Sequence, residues 1–395
     1  MKLLNKTTNR IILFVIIILL SSYMLTLPLE KVLFAVDFTE YWSASRLVLE
    51  GDNPYSVDAM WQLQSKLPDW PYDHPVKMYN PPWVISIILP LGLLSYEAAR
   101  LLWLFFSIII IIYCLDVCWR LYLGPANQRW ISWVLGIAFL PTIGCLDLGQ
   151  ISFLILLGIV AFMDLLKKQK WFLSGAAAFL IAIKPQIMVL FWLLLLFWML
   201  KTRHWKILLG TITAGLGALA LPLLFNPMII SQYLEFTASA PPYYFEVPTI
   251  AFALRLIFGF DQIWLQYIPT ILGLGWFVFY WKEHQQHWDW LDHLPLVIII
   301  SFVTASFAWS FDQIILLPIL IQSAVWIGRG FRKRWYFAAA YLVITGLIFV
   351  FSITVPGIPF WSLWQAPALL ALYLLILKAV QREKTALVDG LSAES

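Results

Sequence analysis

Long apolar runs recur along almost the whole chain, and short polar intervals between them hold most of its charges. About 20 apolar residues in a helix cross the hydrocarbon core of a bilayer. The runs at 11–27, 99–118, 130–146, 151–166, 171–183, 187–200, 205–225, 263–281, 294–309, 314–327, 335–351 and 361–377 approach or reach that length. The pattern predicts an all-α fold, a polytopic bundle of about 12 transmembrane helices. The run at 83–94 is too short to span and reads as a juxtamembrane or re-entrant helix. One interval breaks the rhythm. Residues 28–82 are polar and acidic, with Trp42, Leu47, Val48, Trp61 and Leu63 spaced for helices lying on the membrane surface.

Composition agrees with this layout. The 395 residues are 62% hydrophobic and only 12% charged, against about 25% charged in soluble domains. The 22 Trp and 16 Tyr suit interfacial aromatic belts. Lys2, Lys6 and Arg10 precede the first apolar run, but no small-x-small cleavage site follows it, so it reads as a retained helix rather than a signal peptide. Cys114, Cys118 and Cys145 lie in apolar runs without a His or carboxylate cluster, which points to packing and not to a metal. Residues 1–384 read as one membrane domain, 28–82 as its first extracytoplasmic loop, and 385–395 as a short disordered cytoplasmic tail.

Charge placement orients the chain. With the N-terminus cytoplasmic, the Lys/Arg clusters at 120–129, 167–170, 201–206, 329–334 and 378–384 all fall inside. The acidic first loop, 147–150, a turn at Lys184-Pro185, 226–261, Asp312 and 356–360 then fall outside. Both termini are expected in the cytoplasm of a multi-pass cell-membrane protein. The inner basic clusters suit anionic lipid headgroups, and nothing points to a nucleic-acid partner.

The polar residues at outer helix ends are the candidates for chemistry. Asp37, Glu40 and Tyr41 share one helix face close to the bilayer. Asp37 can serve as a general base, or cap its helix with Glu40 completing a capping-box-like start. The Gly51-Asp52-Asn53-Pro54-Tyr55 stretch is turn chemistry, and Tyr79-Asn80-Pro81-Pro82 sets the angle at which the chain re-enters the membrane. Gln150, after Asp147 and Gly149, either closes a tight turn near a helix start or touches a ligand hydroxyl. Lys184 stands on the side where few cations stand, a costly position without a partner. It binds a phosphate or pairs with a carboxylate such as Asp147. Arg255 is a second phosphate candidate, Asp312 a helix cap or a site residue, and His74 a surface-loop residue. The chain carries no P-loop, dinucleotide-binding glycine fingerprint, H-E-x-x-H or G-x-S-x-G, and no cofactor is expected.

Five blocks carry a resemblance. They are Asp37-Phe38-x-x-Tyr41-Trp42-x-Ala44, Leu49-x-Gly51-x-x-Pro54-Tyr55, Tyr79-Asn80-Pro81-Pro82, Gly149-Gln150 and Lys184-Pro185-Gln186. Their order resembles glycosyltransferase family 87 over residues 37 to 200. These are multi-spanning GT-C enzymes similar to polyprenyl-phosphate-mannose-dependent mannosyltransferases. The resemblance implies inverting transfer of a hexose, mannose foremost, from a polyprenyl-phosphate sugar to a glycolipid or polysaccharide on the outer face. Asp37 matches the family's base. Glu40, Tyr41, Tyr79, Asn80, Gln150, Lys184, Gln186, Arg255 and Asp312 are then expected substrate contacts, with no metal. A lipid or sugar transporter, or flippase, is the rival reading, and an envelope scaffold the third. Transporters place ionisable groups near the midplane and show repeat symmetry; the candidates here cluster at outer helix ends and no repeat is visible.

Overall fold

The computed structural model describes residues 34–68, 70–241, 245–329, 334–354 and 359–393. Among these residues every regular element is helical. In chain order the α-helices are α1 (Val36–Leu49), α2 (Val57–Gln64), α3 (Pro82–Ile88), α4 (Tyr96–Leu121), α5 (Trp130–Ala138) and α6 (Leu140–Asp147). There follow α7 (Ser152–Lys167), α8 (Trp171–Ala178), α9 (Val189–Thr202), α10 (Trp205–Phe225), α11 (Ile229–Ser239) and α12 (Ile250–Phe258). The last are α13 (Ile268–His284), α14 (Trp290–Val303), α15 (Leu317–Gly328), α16 (Arg334–Thr354) and α17 (Gln365–Ala393).

The chain is an all-helical, multi-pass membrane protein. Six helical segments of the described residues are long and apolar enough to cross a bilayer: Tyr96–Leu121, Trp205–Phe225, Ile263–His287, Ser310–Gly328, Trp335–Thr354 and Phe360–Glu383. The bent pair Ala126–Ala138 and Leu140–Asp147, broken just before Pro141, makes a seventh if it is one span. The expected dozen is therefore not confirmed. Nearly every apolar run did become helix, but α7 has 16 residues and α9 and α14 have 14 each, short of a full crossing. The run at 11–27 lies outside the described residues. Helix α17 runs from Gln365 to Ala393.

Two compact units divide the chain. The first holds residues 1–114, 143–185 and 199–245, and the second 115–142, 186–198 and 246–395. In the first, α1 packs on α3 and on the 3-10 turn Leu89–Leu93 that continues it. Ser45 Oγ donates to Tyr41 O at 2.6 Å and to Ile88 O at 2.9 Å, tying the two elements together. Helix α8 packs against α7 and α10. Its crossing with α10 is backbone on backbone: a Cβ on Gly175 would strike Ile207 O, and one on Gly210 would strike Phe172 O. Thr211 Oγ1 donates to Gly175 O at 2.9 Å across this contact, the small-residue packing expected where lipid supplies no hydrophobic drive. The opposite side of α10 shows Leu209, Ile212, Leu216 and Leu224 to the surroundings, an apolar face suited to acyl chains.

In the second unit Gln322 joins three helices. Tyr373 Oη of α17 donates to its Oε1 at 2.7 Å, and its Nε2 donates to Leu291 O of α14 at 2.9 Å. In the same unit Leu294, Val297, Ile298, Ile314 and Ile315 are fully buried.

Candidate active site

Helix α1 starts without a side-chain cap. Its N-cap is Ala35 in extended backbone, and Asp37 sits inside the first turn. The expectation that Asp37 caps this helix is thus corrected; a carboxylate in the first turn still faces the positive end of the helix dipole. The open N–H groups are met by other segments. Ala35 N donates to Tyr96 Oη at 3.0 Å, and Phe38 N donates to Leu148 O at 3.0 Å. Phe38 and Tyr41 both pack on Trp103 and are fully buried, Glu40 is buried beside them, and Asp37 is half-buried on the same turn.

The loop after α6 is pressed against this helix start. Gly149 has φ +70°, and a Cβ there would lie 2.6 Å from Phe38 Cβ and 3.1 Å from Arg100 Nη1. Only glycine meets both demands, a left-handed backbone and a side-chain-free approach. Two α4 residues hold the loop: Arg100 Nη2 donates to Leu146 O at 2.8 Å and Asp147 O at 3.1 Å, and Trp103 Nε1 donates to Gly149 O at 2.8 Å. Gln150 N bonds back to Cys145 O at 2.8 Å. The loop is thereby a rigid bracket for the Gln150 side chain, which is 6% exposed.

Gln150 is the hub. Its Nε2 donates to Asp37 Oδ2 at 2.6 Å, and its Oε1 accepts from Tyr41 Oη at 3.2 Å and from Lys184 Nζ at 3.0 Å. The amide orientation follows from the partners, because an ammonium only donates and a carboxylate only accepts. Lys184 also donates to Ser152 Oγ at 3.2 Å. The chain leaves helical geometry at Lys184 (φ −132°, ψ 75°), so the turn expected at Lys184-Pro185 exists and presents the ammonium to the hub. Asp147, the carboxylate weighed as a partner for Lys184, is exposed and serves the loop through its carbonyl.

Behind the hub, Glu40 is only 8% exposed. It accepts from Asn80 Nδ2 at 3.2 Å and is hydrogen-bonded to the Tyr41 hydroxyl. Tyr55 Oη donates to Asn80 O at 3.0 Å and so fixes the strap before α3. Burial pushes the Glu40 carboxyl well above the usual carboxylate range, and the Asp37 charge adds to this; Lys184 and Tyr41 work in the opposite direction. Tyr79 is half-buried, its hydroxyl pushed up first by burial and then by the Glu40 charge. Asp37 and Lys184 are half-buried, so the carboxylate and the cation keep an approach from solvent while the groups that hold them are dry.

The first unit therefore brings together Asp37, Glu40, Tyr41, Tyr79, Asn80, Gln150 and Lys184. Gln186, Arg255 and Asp312 belong to the second unit. Gln186 stands in the one-turn segment Pro185–Ile187. Arg255 is 1% exposed; it donates to Phe260 O at 2.9 and 2.6 Å and to Gln266 Oε1 at 2.7 Å, with its guanidinium 4.6 Å from the Phe260 ring. Asp312 accepts from Trp309 N at 2.9 Å, closing a turn from its third position rather than as the cap residue itself. Among the described residues no group of three His, Cys, Asp or Glu side chains could hold a metal ion. Sequence reasoning missed Arg100, Trp103 and Ser152 as supports of the site, and it placed Tyr55 only in a turn and a motif block. Of the first three, Arg100 alone, a lone cation within an apolar run, carried a signal.

A half-buried carboxylate and a half-buried cation joined through one amide suit a reaction in which a proton leaves one group and negative charge builds on another. The chain belongs to glycosyltransferase family 87, whose family model matches residues 79–311, more than half of its length. The match reaches well past the 37–200 region of the motif resemblance. It takes in Tyr79, Asn80, Gln150, Lys184, Gln186 and Arg255, and leaves α1 with Asp37, Glu40 and Tyr41 outside, and Asp312 as well. Comparisons with curated proteins and with solved structures returned no match.

Proposed function

We propose that this glycosyltransferase moves a hexose, mannose foremost, from a polyprenyl-phosphate sugar to a glycolipid or polysaccharide acceptor, with inversion, on the outer face of the cell membrane. Both termini then lie in the cytoplasm. The observation that carries the reading is the Asp37–Gln150–Lys184 array. Asp37 accepts the proton of the acceptor hydroxyl as that oxygen bonds to the anomeric carbon. The bond from that carbon to the phosphate oxygen breaks on the opposite side, and the electron pair leaves with the lipid phosphate. Lys184 balances the charge that builds there. A phosphate is a good leaving group without protonation, so one carboxylate suffices where glycosidases use two. Lys184 is preferred over Arg255 for this role because the Arg255 guanidinium is buried against Phe260 and Gln266.

The test is transfer by purified protein in lipid, with polyprenyl-phosphate mannose and other polyprenyl-phosphate hexoses as donors and membrane-extract glycolipids and polysaccharides as acceptors. Asp37→Asn should lose about 10²- to 10⁴-fold in kcat, the usual worth of a general base, while remaining folded. Equal turnover in wild type and Asp37→Asn removes Asp37 as base. Lipid movement across liposomes without transfer from any donor returns the protein to the flippase reading.

A further inference from the structure

Two of the basic clusters meet at one end of a helix pair. Both lie in tight turns, where Gln169 and Arg203 hold positive φ, 57° and 60°. Helix α8 begins at Trp171 directly after the first turn, and α10 begins at Trp205 within the second. The Gly175–Gly210 crossing sets these two helix starts side by side, and the Trp171 and His204 rings stack at 4.0 Å and 14°. Lys167, Lys168, Lys170, Lys201, Arg203 and Lys206 are all exposed there. Asp164 pairs with Lys168 at 2.5 Å, and from 165 to 234 the chain holds no Asp or Glu. Like charges gathered at one end repel one another, which an anion lying among them relieves. Immediately inside each helix start the surface changes character. Phe172 and Leu173 on α8 and Leu208 and Leu209 on α10 are 38% to 57% exposed. Trp205 is exposed between Arg203 and Lys206, a ring of the kind that sits at headgroup level.

We propose that the turns 167–170 and 201–206 together bind the headgroup of an anionic phospholipid, whose acyl chains lie on the open apolar sides of α8 and α10. The order of groups argues for that occupant. A phospholipid presents a phosphate and then hydrocarbon, and these helices present cations and then hydrocarbon in the same direction. Each Lys or Arg near an anionic headgroup adds to the attraction, and its stem lies along hydrocarbon while its head reaches the phosphate. A free phosphate or an acidic soluble protein answers the charge but leaves the apolar collar unused. The site is more than the tendency of cations to gather on one side of a membrane. The two turns are separated in sequence by α8, the break at Lys184 and α9, and the close crossing of α8 on α10 joins them. None of these residues belongs to the Asp37 array, so the inference stands apart from the transfer reaction.

The test uses full-length protein in an uncharged detergent at low salt, with the rise in unfolding temperature as the measure of binding. Its probes are dioctanoyl phosphatidylglycerol, dioctanoyl phosphatidylcholine and inorganic phosphate. Phosphatidylglycerol should give a saturable rise, and the other two should give none at the same concentrations. Lys170→Gln/Lys206→Gln removes one cation from each turn and should raise the half-saturating concentration about 25-fold, about fivefold per cation. Lys378→Gln/Arg382→Gln takes as many charges from another exposed cluster, on α17, and should bind as wild type does. Trp171→Ala keeps every cation but removes the ring that stacks on His204, and it should also weaken binding. Because Lys170 and Lys206 are exposed, their Gln pair should unfold at the wild-type temperature without lipid. Lys170→Arg/Lys206→Arg keeps the charges and should bind like wild type. Equal losses in the two Gln pairs mean diffuse attraction and overturn the inference. So does an equal rise with inorganic phosphate, or no rise with phosphatidylglycerol.

Discussion

Replacing Gly149 with alanine tests whether the loop bracket controls the base. The residue has φ +70°, where a side chain costs about 1–2 kcal/mol. The new Cβ would also lie 2.6 Å from Phe38 Cβ and 3.1 Å from Arg100 Nη1. Neither neighbour yields easily, because Phe38 is buried on α1 and Arg100 is tied to two loop carbonyls. Overpacking of this kind costs about 1–3 kcal/mol, so a rigid loop would lose about 2–5 kcal/mol in all. Relief comes from lifting the loop off α1, and that lifts Gln150 from Asp37. Gly149→Ala should therefore lower the unfolding temperature in detergent and cut kcat by about 10²-fold. Gly217→Ala is the control, since nothing lies within 4 Å of a Cβ there and a helical Gly→Ala change gains about 0.5–1 kcal/mol. A Gly149→Ala protein that unfolds and transfers like wild type would refute the reasoning.

Lys184→Ala removes the cation proposed for the leaving phosphate and should lower kcat/KM for the donor by about 10²- to 10³-fold; unchanged donor kinetics would take Lys184 out of that role. Glu40 also sets a pH dependence of stability. Its folded pKa is raised, so the unfolded chain releases this proton first as pH rises. Stability from this group is complete below the ordinary carboxylate range and declines from there up to the folded pKa, by about 1.4 kcal/mol per unit of difference. Glu40→Gln should thus be more stable than wild type at neutral pH, an advantage that shrinks as pH falls toward 4.5. Parallel stability curves for the two proteins would count against a neutral Glu40.

Much of the fold was legible because burial in lipid and burial in protein select the same residues. Apolar runs announced nearly every helix, and the run at 205–225 coincides with α10. Hydropathy does not measure how far a helix continues once proline or a polar residue breaks it. The run at 130–146 therefore became two pieces around Phe139, whereas the break at Lys184 was already marked by charge placement. At the site, spacing alone placed Asp37, Glu40 and Tyr41 on one face, since a helix repeats every 3.6 residues. The motif order also singled out Gln150 and Lys184.

By itself, then, the sequence determined an all-helical membrane protein, its family resemblance, and most of the residues gathered around Asp37. Only the tertiary structure decided their roles. Asp37 and Gln150 are 113 positions apart, and no local pattern says that an amide will bridge a carboxylate to an ammonium. Nor does spacing reveal that Glu40 is dry while Asp37 is not. Burial is set by what other segments lay over a helix face: here Asn80 covers Glu40, and the Gly149 turn brings Gln150 to Asp37.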